Sequence, residues 1–594
     1  MPSKKSSAPT WDLSDLFKNI ADPQIEKLLT RQFARAELFA KNGRGKITDK
    51  LAPEKLLAMI QEYESILEQS YKPLMYAELI FSADSKNPKL GAFLQKMQTR
   101  VLAITQQMVF FEVELSRLSE SVLTRLAKDK TLAPYAHYLS RVADFRPHRL
   151  NEREEQLMNE LSLTGRTAFS RLFDEELAHK TFEMKTGRST KSYSEEELLH
   201  HLHSPKREER KHATETLTNG LNEESRRLTY ITNTLLQDKA TKDKILHFET
   251  PEDSQHLANE TTRETVKAMT DAITARYGIV KDYYLFKRKL LKLPKLFDYD
   301  RYAPITTQTR VIPFEEAKRI VLDAYASFSP KFAEIAKLFF DKHWIDAELR
   351  PGKRGGAFCS FITTDLHPYL FVNYQGGVRD VFTLAHELGH AVHAYLARKQ
   401  TFLNFDMPLT FAETASVFGE MLVFDYLRTH IENPKEKLGL YTQKIDEIFA
   451  TVFRQTAMHR FEQDIHGAWR TQGELPTSAI NKFWHTRQQE MFGTSVIITP
   501  GHDIWWSYIP HFIHTPFYVY AYAFGEILTL ALFAQYKKQG PAVVKNYFTM
   551  LESGGSKTPS ELLAPFNIKL TDKKFWDAGL DLVEEIVGEM KGMA

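Results

Sequence analysis

Over most of the chain, apolar residues recur at every third or fourth position, the spacing of a helix with one buried face. Between Pro23 and Lys41 they fall at Ile25, Leu28, Leu29, Phe33, Ala36, Leu38 and Phe39, which predicts a helix. The same spacing predicts helices at Glu54–Leu67, Leu90–Leu118 and Glu152–Leu163, with a less regular stretch from Leu123 to Leu150. The pattern breaks at Thr181–Tyr193. There, two short β-prone segments flank Lys185-Thr186-Gly187-Arg188, predicting a hairpin with Gly187 at positive φ. Helices resume at Ser194–His203, Lys206–Asn219, Thr261–Arg276, Tyr277–Lys292 and Phe314–Phe340. The mixed charge run Lys206–Lys211 reads as a solvated helix face rather than a nucleic-acid patch.

After the loop Pro351–Gly356, Ala357–Thr363 and Tyr369–Tyr374 are aromatic and β-branched, which predicts two strands. A long helix should run from Asp380 to about Arg398, and another from Phe411 to Glu432. The chain is therefore expected to be mainly α with one small β element. The break near residue 190 divides it into an N-terminal helical region, 1–190, and a second region, 191–594.

Composition narrows the function. The 594 residues are 43% hydrophobic and 26% charged, a globular balance. With 78 basic and 76 acidic side chains the net charge is +2, so no global field draws the chain to nucleic acid or anionic lipid. No apolar run is long enough to span a membrane. The basic start Met1–Ser7 is not followed by the apolar core of a secretory signal. The single cysteine, Cys359, excludes an internal disulfide and a cysteine-rich metal site, and fits a cytoplasmic location. In a strand between Phe358 and Phe361 it reads as a small buried hydrophobe.

The candidate chemistry lies at His386-Glu387-Leu388-Gly389-His390. On a helix, His386 and His390 share one face a turn apart, a spacing that lets two imidazoles hold one Zn²⁺. Glu387 can flank the ion without ligating it and take a proton from water. Gly389 costs helix stability, which suggests that a substrate strand or a neighbouring helix passes close by. A catalytic zinc takes three protein ligands and one open position. Glu413 and Glu420 are two helical turns apart among small and apolar residues, so Glu413 is the expected third ligand and Glu420 the group that orients a ligand histidine. His393, three residues past His390, reads as a residue that packs or supports a ligand from behind, since a fourth protein ligand would close the open position. The strand pair offers an edge on which an extended peptide could lie, with an ordinary structural hairpin as the alternative.

These segments together resemble the thimet-type M3 oligopeptidases, and within them the bacterial oligoendopeptidase F group. The resemblance rests on His386–His390, Glu413-Thr414-Ala415-Ser416 and Glu420. It extends to Trp11–Phe17, Asp380–Ala385, Ile509–Phe512 and Phe517–Tyr522. It implies a two-lobed helical zincin body, a deep channel with one zinc ion on its floor, a small sheet beside the zinc helix, and 191–594 as the catalytic region. It implies cleavage of short peptides rather than folded proteins.

Thr515-Pro516 predicts a helix N-cap followed by Pro at the first helical position. Tyr518 and Tyr522 would then share a face, with Tyr520 nearly opposite as packing. His511 and one of Tyr518 or Tyr522 are the expected donors to a tetrahedral oxyanion. The expected reaction is zinc-assisted hydrolysis of an internal peptide bond with Glu387 as general base. A zinc exopeptidase and a non-catalytic peptide-binding protein are the alternatives. Short peptides are the expected partners, and the sequence leaves the oligomeric state open.

Overall fold

The computed structural model describes residues 8–186, 189–306 and 310–593. Gly187 and the basic Met1–Ser7 segment lie outside them. Helices dominate, and none among the described residues is long and apolar enough to cross a membrane.

The chain divides into two compact units. The first is Met1–Pro147, Thr309–His430 and Gln535–Ile568. Its N-terminal part packs the helices Pro23–Gly43, Pro53–Ala83 and Pro88–Ser116 around Leu29, Leu56, Ile104 and Phe111. The second helix runs well past its expected end at Leu67, because the apolar stripe continues through Tyr76 and Leu79. Its Pro73 is tolerated inside the helix.

The expected helix Phe314–Phe340 is two, Phe314–Phe328 and Pro330–Asp341. Ser329 is extended ahead of Pro330, as a residue before proline prefers. Next comes a three-stranded sheet. Ile345–Asp346 pairs parallel with Tyr369–Phe371, which pairs antiparallel with Phe358–Ser360 in the register Cys359 opposite Leu370. The strand at Ile345 has no alternating pattern long enough to be seen in sequence. Trp11 packs against this sheet, 5.6 Å from the Phe371 ring.

Strands this short need other support. Asp346 is fully buried and receives both Arg350 and Lys353, the latter at 2.6 Å. Lys353 Nζ also donates to the carbonyls of Glu348 and Val372, so the loop after the first strand is clipped onto the middle one.

The second unit is His148–Gln308, Ile431–Ala534 and Lys569–Ala594. It contains the expected hairpin, Phe182–Thr186 against Ser189–Tyr193. The helix begun at Arg207 continues to Ile245 rather than ending near Asn219, since buried positions persist through Leu235 and Leu236. The charge run at its start is not simply solvated. Arg210 is 3% exposed and, with Arg207, grips the buried Asp300.

Candidate metal centre

The first unit carries the helix Val378–Ala397, which is capped where Gly377 and Gln375 donate to Asp380. It buries Val381, Leu384, Ala385, Leu388 and Val392, leaving His386 and His390 on one partly open face. The helix Thr414–His430 crosses it closely. A Cβ at Gly389 would collide with the Ala415 carbonyl and would lie 2.6 Å from Ser416 Cα. A Cβ at Gly419 would collide with the Tyr325 hydroxyl. Of the two reasons considered for Gly389, the close neighbour is therefore a helix. Tyr325 donates to the carbonyl of Ala385 at 2.5 Å, fixing the turn that precedes His386.

This crossing brings three donors together. His386 Nε2 lies 3.2 Å from His390 Nε2, and Glu413 Oε2 lies 3.3 and 3.4 Å from the two nitrogens. A tetrahedral ion with bonds of about 2.0–2.1 Å requires ligand atoms roughly 3.3–3.4 Å apart. The three residues are thus spaced for such an ion without rearrangement, and their chemistry, two imidazoles and a carboxylate, suits zinc.

Burial raises the pKa of Glu413, but the His390 contact, both imidazoles and Ser416 outweigh it and hold the group at about 2, an anion. Ser416 Oγ donates to Glu413 Oε2 at 2.7 Å. His386 Nδ1 meets Glu420 Oε1 at 2.6 Å. Burial opposes charge on His386, yet Glu420, Glu413 and Glu387 raise its pKa to about 10, so with no ion bound the ring carries both protons. An ion takes the place of the Nε2 proton, and Nδ1–H goes on donating to Glu420. Glu387 is 6% exposed. Burial lifts its carboxyl above the usual range, opposed by the charges of His386 and His390.

One local expectation fails. Glu413 does not sit within a continuous helix from Phe411. A short turn, Leu409–Ala412, ends at Glu413, and the long helix starts at Thr414. The carboxylate reaches the histidines from that break. His393 is buried, its pKa lowered to about 3 by burial and then by His390, as fits a neutral packing residue. Cys359 is partly exposed by area rather than wholly buried. Desolvation and the nearby Glu387 push its thiol pKa well above normal, which disfavours the reactive thiolate.

In the second unit, His511, Tyr518 and Tyr522 meet. His511 Nε2 is 3.3 Å from Tyr522 Oη, and the tyrosine rings are 5.1 Å apart. The backbone differs from expectation. Thr515-Pro516 does not cap a helix; a short helix, His511–His514, comes first, and the long one begins at Tyr520. Phe517 takes a left-handed φ of 62° between them, and its N–H donates to the buried Glu462 at 2.7 Å. Tyr520 is wholly buried, as packing requires, and its hydroxyl contacts His256 Nδ1 and Asn259 Nδ2 at 3.0 Å. Sequence reasoning gave no role to Tyr325, Gly419, Ser416 or Glu462. Only Ser416, one turn after Glu413, carried a usable signal.

Comparison with known proteins identifies the family. A 25% identical relative over 599 residues is Oligopeptidase PepF of Bacillus subtilis, covering 99% of this chain and 88% of the relative. An oligoendopeptidase F homolog of Borreliella burgdorferi is 26% identical over 95% of this chain and 94% of its own. A candidate peptidase of Chlamydophila abortus superposes with a TM-score of 0.85 at 25% identity, covering 98% of both chains. Oligoendopeptidase-F of Enterococcus faecium shares the fold at a TM-score of 0.71 and 21% identity, covering 96% of this chain and 98% of its own. The profile of oligopeptidase F matches residues 114–182, and that of peptidase family M3 matches residues 200–582. With most of its length matched, the helices that carry His386, His390 and Glu413 included, the chain belongs to peptidase family M3.

Proposed function

We propose that this peptidase is a zinc-dependent endopeptidase that hydrolyses internal bonds of short oligopeptides, with one zinc ion held by His386, His390 and Glu413. The observation that carries the reading is the donor triangle, with edges of 3.2–3.4 Å, in a chain of the M3 family. The names of the Bacillus subtilis and Enterococcus faecium relatives supply the preference for oligopeptides and internal bonds.

Zinc at this position supplies Lewis-acid chemistry and brings the pKa of a water from 15.7 toward about 7. Glu387 then takes the proton of the attacking water on its carboxylate and returns it to the leaving amine nitrogen. Burial, which lifts its carboxyl above the ordinary range, makes it a stronger proton acceptor than an exposed glutamate. Glu420 holds His386 in the tautomer that presents Nε2. His511 with Tyr518 or Tyr522 serves as a donor to the tetrahedral oxyanion. The outer edge of Phe358–Ser360, which no other described strand pairs, suits an extended peptide.

The test is hydrolysis of one peptide in blocked and unblocked forms, with and without chelator, beside Glu387→Gln. Internal cuts in the doubly blocked peptide are expected, lost with chelator. The variant should retain zinc and lose roughly 10²–10⁴ in turnover. Cleavage confined to peptides with a free terminus would replace this reading with an exopeptidase.

A further inference from the structure

Arginine cannot discharge itself by losing a proton, so a guanidinium taken out of water must be paired. In the second unit, one buried arginine is not. Arg301 is 6% exposed, and its side chain makes no hydrogen bond or ion pair among the described residues. Its guanidinium lies over the rings of Tyr302 and Trp505, at 4.6 and 5.7 Å. Ring faces soften a charge but do not cancel it.

Arg301 shares a small, partly open cavity with a second guanidinium, that of the half-buried Arg454. Arg454 donates one nitrogen to Tyr302 Oη at 2.8 Å, while its Nε is buried without a partner. The carboxylate lining the cavity is Asp446, and it is already engaged. Its oxygens receive Tyr283 Oη at 2.7 Å and Lys287 Nζ at 2.8 Å, so Lys287 balances its charge. Asp298 feels the charge of Arg301 but spends its oxygens on Thr499 and the Tyr299 N–H. Two guanidiniums therefore face one space with no anion to balance them.

The rest of the cavity limits what can enter. Its other walls include Phe449, Phe453 and Phe492, and the interior has room for a guest about the size of one or two water molecules. Nucleotides, polyphosphates and other large polyanions are too big. We propose that the Arg301–Arg454 cavity is a binding site for one small monovalent anion, a halide or a carboxylate of one or two carbons. This site goes beyond the peptidase reading and does not depend on it.

The test uses the whole chain as purified. Crystals soaked in sodium bromide should show an anomalous peak between the two guanidiniums, and soaking in Arg301→Gln crystals should abolish it. In parallel, urea midpoints are measured at constant ionic strength with bromide, acetate or bulky gluconate. An anion bound only to the folded state raises the midpoint with its concentration. Bromide should raise the wild-type midpoint above that in gluconate and leave Arg301→Gln unshifted. A rise in acetate with loss of the bromide peak assigns the site to carboxylates as well; a rise in bromide alone assigns it to halides. No wild-type peak and identical wild-type midpoints in all three salts overturn the proposal, and both of these outcomes are read on the wild-type protein alone.

Discussion

Replacing Gly389 by alanine tests whether backbone contact sets the metal centre. The new Cβ would lie 2.6 Å from Ser416 Cα, whereas ordinary contact begins at 3.4 Å, so that part of the Thr414–His430 helix must retreat by about 0.8 Å. Glu413 adjoins this segment. If its carboxylate follows, the separations of 3.3 and 3.4 Å from His386 and His390 open to about 4 Å. A tetrahedral zinc needs roughly 3.3–3.4 Å, so the third ligand is stretched out of reach. Overpacking costs about 1–3 kcal/mol, while replacing a helical glycine returns up to about 1 kcal/mol, leaving a net loss of roughly 0–2 kcal/mol. Metal affinity should change more visibly, by at least the 10–100-fold seen when ligand support is lost, or about 1.4–2.7 kcal/mol. Competition against a chelator of known affinity reads the second effect, and urea unfolding of the metal-free protein reads the first. A Gly389→Ala protein that binds zinc as tightly as wild type would refute the reasoning, whatever its stability.

Removing the partner of His386 by Glu420→Ala should weaken zinc about 10–100-fold, measured by the same competition. His511→Ala, Tyr518→Phe and Tyr522→Phe should keep zinc, and kcat should fall by up to about 10²–10³ for the donor that meets the oxyanion; unchanged kcat in all three would remove that cluster from the mechanism. Acid should destabilise the second unit. Burial, then the charges of Lys239 and Arg470, hold His466 well below its ordinary 6.5, and burial does the same to His502. Both folded pKa values lie below the unfolded ones, so this stabilisation is complete above about pH 6.5 and falls as pH drops below it. Each group contributes up to about 1.4 kcal/mol per pH unit. Urea midpoints at pH 7 and 5 should show the fall, and His466→Leu should make it shallower.

What could be read in the sequence was what depends on local spacing. His386 and His390 share a helix face whatever surrounds them, and the hairpin at Phe182–Tyr193 is announced by its turn residues. Glu413 was recognisable by its unusual neighbours, but not its position at a helix break, because Pro408 and the turn Leu409–Ala412 compete with an otherwise helical pattern. Tyr518 was expected on a helix. The Phe517 turn that keeps it off depends on Glu462, 55 residues earlier, and nothing near Thr515 reports it. Arg210 looked like surface charge because its partner Asp300 is 90 residues away. Contacts of that kind leave no periodic trace.

The clip of Asp346, Arg350 and Lys353 bears on how tightly a peptide could be held. Strands of two or three residues would fluctuate if left to their own ladder, and a ligand pairing with their edge would have to order them as it bound. Lys353, anchored to one carboxylate and to carbonyls on either side, removes that freedom during folding. An edge already in its bound shape loses less conformational entropy on association, so affinity can come from backbone pairing alone. Such a surface grips many sequences with similar strength, which favours breadth of substrate over selectivity.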